Sequence, residues 1–228
     1  MRTRANLGLT DQCLVVHSGN MGVKQGLEVI LGAAEFSRHD DSVQYLLVGN
    51  GAARDGLEAR TRAMKLENVR FLPLLAEEQY AELLATTDIS LVTQQKCVAD
   101  IVFPSKVITL MASGQAIIAS VNLGSEVARV LKEATAGLVV PPEDPARLFA
   151  AIARLRSDSP LRRKMAHNAR EFARQHWNRD AILAGMESQL RALIVDQREV
   201  ALPSRWTWGV FRSRLRGAAS LADSMHGK

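Results

Sequence analysis

The stretch FPSKVITLMASGQAI, residues 103–117, sets a proline, a serine and a lysine at the mouth of an apolar helix that closes on Gly114. A helix N-terminus carries unpaired N–H groups and partial positive charge, so Lys106 is unfavourable there unless an anion lies between the cation and the helix. A phosphate meets that condition, with Ser105 and the first amides completing a cradle. Pro104 and Gly114 need no ligand to explain them, because proline suits the first helical turn and glycine the helix end.

Two further loops carry the same chemistry in weaker form. SGNMGVKQG, residues 18–26, brings Gly19, Gly22 and Gly26 to the start of a helix, and VGNGAARDGL, residues 48–57, brings Gly49 and Gly51. Glycine lets backbone amides approach a phosphate closely, but a tight strand-to-helix turn calls for it equally. Neither loop is a dinucleotide G-x-G-x-x-G or a Walker loop. Glu126, just after NLGS at a helix start, either answers the helix dipole or hydrogen-bonds the hydroxyls of a sugar or ribose. The five histidines share no metal-ligand spacing, and no G-x-S-x-G nucleophile is present. His17 alone among them ends a strand, and a satisfied core or rim histidine is the expected role.

The elements that must hold these loops alternate. Apolar runs at 13–18, 43–49, 69–73, 88–92, 116–120 and 137–140 read as strands, and helical patterns at 25–37, 54–65, 76–86, 104–112 and 124–134 lie between them. Runs this apolar, separated by helices, predict an α/β fold: a doubly wound, Rossmann-like parallel sheet covered on both faces. Ligands of such sheets sit beyond the carboxyl ends of the strands, where all three loops fall. After Pro141 helices follow, begun by Asp144, by Ser159 with Pro160, and near Arg179.

The 228 residues are 47% hydrophobic and 23% charged, an ordinary globular balance. Cys13 and Cys97 form no C-x-x-C pair and read as free thiols of a reducing compartment. No apolar stretch is long enough to span a membrane. The formal charge of +5 is concentrated beyond Pro203, where Arg205, Arg212, Arg214, Arg216 and Lys228 face Asp223 alone. The basicity therefore says little about the folded body, and no nucleic-acid partner is expected. As a helix, the tail would gather Arg205, Arg212 and Arg216 on one side, which suits weak attachment to anionic lipid.

Eight segments in register, SGNMGVKQGLEVIL, LLVGNGAAR, NVRFLP, DISLV, PSKVITLMASGQAIIAS, GSEVARVL, AGLVVPPEDPARL and NAREFARQHW, resemble the C-terminal, donor-binding domain of a retaining GT-B glycosyltransferase of family four. The similarity is nearest to enzymes of colanic-acid, capsule and O-antigen assembly, and it covers residues 7–194. It implies a hexosyl-type transferase that takes a nucleotide-diphosphate sugar as donor and needs no other cofactor. The implied donor-binding residues are Gly19, Asn20, Gly22, Lys24, Gly49, Gly51, Phe71, Leu72, Ser105, Lys106, Thr109 and Glu126, with the base read along VRFLP, no metal, and catalytic residues unassigned.

The departures from the family pattern bear on the phosphates. Asn20 stands at the usual arginine position, Gln25 at the lysine position, and Lys24 comes one place early. Ile101 and Thr109 replace the two glutamates of the E-x7-E motif, while Phe103 fits its centre. Lys106 could then compensate for the lost arginine, and Thr109 could give a ribose one weaker hydrogen bond.

The resemblance further implies a lead-in over 1–12 from a missing N-terminal domain, a nucleotide-sugar-binding domain over 13–200, and a basic aromatic tail over 201–228. The expected partner is an acceptor-binding domain or separate chain, without which transfer fails. The expected location is the cytoplasm, at the inner face of the cell membrane. A non-catalytic nucleotide-sugar binding module and a sugar-nucleotide epimerase fragment stay open as alternatives.

Overall fold

The computed structural model describes residues 4, 5, 8–98 and 103–199. These fall into two units that divide between Asn178 and Arg179. Within the first, every strand is followed by a helix: β1 (Cys13–Ser18), α1 (Glu28–Phe36), β2 (Val43–Val48), α2 (Arg54–Ala63), β3 (Val69–Leu72) and α3 (Glu77–Thr86) make one half. The other half comprises β4 (Ile89–Thr93), α4 (Ser105–Ala112), β5 (Ile117–Ser120), α5 (Glu126–Glu133) and β6 (Gly137–Val140), then α6 (Pro145–Ser157) and α7 (Ser159–His176). The second unit is described by its helix α8 (Arg179–Glu199), which exposes Leu183, Met186, Leu190 and Leu193.

The six strands form one all-parallel sheet in the order β3-β2-β1-β4-β5-β6. Every residue of β1, β2, β4 and β5 is buried, as a sheet covered on both faces requires. Alternate side chains serve the two faces. Val15, Tyr45, Leu47 and Leu91 pack with Ile30 and Leu31 of α1 and Leu148 and Ile152 of α6. On the other face Leu14, Val16 and Leu46 meet Leu83 of α3, and Val92, Ile117 and Ala119 meet Val107 and Leu110 of α4 and Val127 and Leu131 of α5.

The helix starts follow the sequence with one correction. The Asp144 carboxylate caps α6 by accepting from the Arg147 amide at 2.9 Å. The cap of α7 is Asp158, which accepts from the Leu161 amide at 2.8 Å, so Ser159 and Pro160 are already helical. A carboxylate one residue earlier outcompetes the hydroxyl for the free amides. At the amino end of the sheet, Asp88 accepts from the Leu14 amide at 2.9 Å and pairs with Arg4 and Arg162, each at 3.2 Å. Cys13 and Cys97 are free thiols, the first buried and the second exposed.

Strand order reverses between β1 and β4: the connection from β1 runs one way to β2 and β3, and the rest of the chain runs the other way. The loops at the carboxyl ends of β1 and β4 therefore part at this point and leave a crevice.

Candidate functional site

A cavity of about 650 Å³ occupies that crevice. Its floor is made by strand ends, Ser18 of β1, Val48 of β2, and Val92 and Thr93 of β4. One wall is the first glycine loop, with Gly19, Asn20 and Gln25, and the opposite wall is the start of α4, with Pro104, Ser105, Lys106 and Thr109. The third side is Leu74 and Leu75 in the loop after β3, with Glu77 and Tyr80 of α3. Tyr80 is fixed by its hydroxyl, 3.0 Å from the Ser18 hydroxyl.

The glycine loops interlock because glycine allows it. The Gly19 amide donates to the Val48 carbonyl at 2.8 Å, and the Met21 amide donates to Asn50 at 2.8 Å, so the loop after β1 lies directly on the loop after β2. At Gly49, φ is +136°, and a Cβ there would stand 2.0 Å from the Gly19 carbonyl oxygen. A Cβ on Gly51 would stand 2.6 Å from the Asn20 side-chain oxygen and from the Met21 carbonyl. Arg54 ties the third loop in, donating to the carbonyls of Gly49 at 2.6 Å and Leu72 at 3.1 Å while pairing with Glu58 at 2.8 Å. Gly49 and Gly51 thus shape the wall from behind.

Lys106 is the one cation among the described lining residues. Its stem runs beside Gly19, where a Cβ would meet Lys106 Cδ at 3.7 Å, and Nζ ends 3.2 Å from His17 Nδ1. Loss of hydration on burial brings the lysine pKa down to about 7. The His17 pKa is pushed well below its ordinary value, first by burial and then by the Lys106 charge, with the backbone at Asn20 and Leu91 only partly offsetting this. The imidazole is therefore neutral, and where its Nδ1 accepts from the Lys106 amine its proton sits on Nε2.

The cavity gathers some of the residues expected from the sequence and leaves others elsewhere. Gly19, Asn20, Ser105, Lys106 and Thr109 line it, and Gly22 packs behind Asn20 and Gln25. The Thr109 hydroxyl reaches the Ser105 carbonyl only at 3.5 Å. In the first loop the exposed Lys24 is outside the lining, and Gln25 takes the lining place. Phe71 turns to the α2 side, in a hollow with Glu58, Arg62 and Lys65, because strand alternation sends it to the face opposite Leu72. Leu72 packs under α3 and offers its carbonyl to Arg54, so the third loop contributes to the cavity two residues later, through Leu74 and Leu75.

Glu126 lies in a separate hollow with Phe103, Arg129, Glu133 and Trp177, where Arg129 pairs with both glutamates. Ile101 and the basic tail lie outside the described residues. No local pattern marked Glu77, Tyr80, Thr93 or Gln94, since each enters through packing between distant segments. His17 was visible as a strand-end histidine but not as the partner of Lys106.

The arrangement suits an extended anionic ligand: Lys106 and the first amides of α4 lie on one wall, the polar side chains of Asn20 and Gln25 on the other, and Leu74, Leu75 and Tyr80 offer an apolar side for a planar group. Among the described residues no group of His, Cys, Asp or Glu could hold a metal ion, and no helix is long and apolar enough to cross a membrane.

The family model for glycosyl transferases group 1 matches residues 2–172. A protein of Escherichia coli (strain K12) named as a colanic acid biosynthesis glycosyl transferase, WcaI, is 31% identical over 191 residues, which are 82% of this chain and 46% of that protein. Another from Pseudomonas aeruginosa, named as a glycosyltransferase, WbjE, is 32% identical over 137 residues, 59% of this chain and 33% of its own length. The crystal structure of Anabaena Alr3699/HepE in complex with UDP superposes with a TM-score of 0.72 at 22% identity, over 84% of this chain and 52% of that one. The fold is thus Rossmann-like and of the GT-B kind. The chain spans between a third and half of the length of the two curated relatives.

Proposed function

The chain belongs to the glycosyl transferases group 1 family, and from that premise we propose that its cavity holds the diphosphate of a sugar nucleotide, the donor for glycosyl transfer in cell-surface polysaccharide assembly. The observation that carries this is the placement of Lys106 and the α4 N-terminus against the Gly19 loop at the switch point of the sheet. When the bond from the anomeric carbon to the diphosphate breaks, its electron pair goes to the diphosphate oxygen. A cation and fixed amides at that oxygen stabilise the charge as it develops. Transfer is of the retaining type that the sequence resemblance implies. The names of the curated relatives support the polysaccharide setting, and the UDP complex of the Anabaena protein supports a uridine donor among the candidates.

Two measurements test the site. In a thermal-shift panel of UDP-, ADP- and GDP-sugars, the cognate donor at 100 times its Kd adds about 2.7 kcal/mol of stability, and a panel without any shift removes the reading. Lys106→Ala is expected to weaken nucleoside-diphosphate binding by about 1.5–3 kcal/mol while nucleoside binding stays within a few tenths. Equal losses for nucleoside and diphosphate would assign Lys106 to folding instead. Lys24→Ala, on the exposed turn, is the matched control.

A further inference from the structure

His17 is buried at the end of β1, yet its ring is not spent on the core alone. Nδ1 stands 3.2 Å from Lys106 Nζ, and Nε2 is buried without a hydrogen bond of ordinary geometry. The lysine stem passes beside Gly19 and its amine ends at this ring, at the edge of the cavity. Among the described residues that line the cavity, the ionisable groups besides Lys106 are Glu77 and Tyr80 from α3, while the first glycine loop, the end of β4 and the residue after it bring the uncharged side chains of Asn20, Gln25, Thr93 and Gln94.

We infer that His17 is the positioning residue of the anion site: its Nδ1 seats the Lys106 amine so that an arriving diphosphate draws one proton from solvent onto that amine. The inference rests on the reading of the cavity as a diphosphate site. It follows because a neutral acceptor holds the lysine without supplying the charge that would fix its proton. With the free pKa at about 7, the amine is largely protonated below that pH and largely neutral above it. A bound dianion favours the ammonium and raises the pKa, so binding takes up protons above pH 7 and exchanges few below it. Affinity is then level on the acid side and falls toward about tenfold per pH unit on the alkaline side, until the pKa of the bound form is reached.

The test is titration calorimetry of the 228-residue chain with UDP-glucose, ADP-glucose and GDP-mannose, in buffers of low and high ionisation enthalpy. The range runs from about pH 6 to about pH 8.5, across which a doubly esterified diphosphate keeps its charge. Expected is proton uptake rising toward one per ligand with a midpoint near the lysine pKa of about 7. Lys106→Met should abolish the uptake. His17→Phe, which keeps a ring without an acceptor, should weaken binding about tenfold and move the midpoint, and His17→Asn, which restores an acceptor, should bring it back.

Binding without proton exchange, an unmoved midpoint in His17→Phe, or no recovery in His17→Asn overturns the inference and leaves the diphosphate site standing. Should His17→Phe not fold, His17→Asn and Lys106→Met decide alone: normal uptake in Lys106→Met, or none in His17→Asn, overturns it. No binding of any of the three nucleotide sugars overturns the inference together with the site.

Discussion

Gly49→Ala is expected to cost about 3–5 kcal/mol of stability, or to prevent folding, because two penalties fall on one position. The backbone there has φ of +136°, a conformation that a residue with a Cβ rarely adopts. The added carbon would also stand 2.0 Å from the carbonyl oxygen of Gly19 and 2.9 Å from its carbon. A flexible side chain could move aside, but this obstacle is backbone, and the Gly19 amide is already committed to Val48. Relief must displace the wall of the cavity, so any folded fraction should also bind nucleotide diphosphate more weakly. Gly56→Ala is the contrast: Gly56 lies in α2 with nothing within 4 Å of the added carbon, and it should stabilise by about 0.5–1 kcal/mol. Urea unfolding of both variants checks the pair, and a Gly49→Ala protein as stable as the parent would mean that the loops are not interlocked as described.

What the sequence disclosed and what it hid divide along a physical line. Strands buried on both faces need uninterrupted apolar runs, so β1 and β6 were legible to the residue and the other strands to within one. The all-parallel sheet followed from alternation with helices, whereas the strand order that sets the switch point had no counterpart in the sequence pattern. Lys106 was legible because a cation at a helix N-terminus violates a local electrostatic rule, and the structure sets it on the cavity wall.

Residues whose part depends on which way a side chain turns were not legible. Phe71 in β3 and Glu126 at the start of α5 line hollows separate from the cavity, although the strand ends and helix starts nearby serve it. Tyr80 and Thr93 obey ordinary local patterns and enter the cavity only because α3 and β4 converge there. The cap of α7 shifted from Ser159 to Asp158 through direct competition between neighbours, a choice too fine for spacing to settle.

The largest expected effect concerns turnover. In the proposed reading, Lys106, the first amides of α4 and the glycine loop hold the leaving diphosphate at the cavity they surround. Transfer also needs an acceptor hydroxyl held against the anomeric carbon, and positioning of that kind is worth about 7–11 kcal/mol of barrier. We therefore expect the 228-residue chain to bind its sugar nucleotide and to transfer sugar at least about 10⁵-fold more slowly than when an acceptor-binding domain from a longer relative is supplied, fused or in trans. Labelled sugar nucleotide, the purified chain and membrane lipid acceptors, with and without the added domain, give the comparison directly. The Lys106→Ala variant belongs in the same assay. If Lys106 acts on the leaving diphosphate, the variant should lose transfer in the completed enzyme beyond its loss in donor affinity, since the charge on that oxygen is larger in the transition state than in the bound donor. Rapid transfer by the chain alone would mean that acceptor-orienting groups lie within these residues. Equal rates with and without Lys106 at saturating donor would confine the lysine to binding.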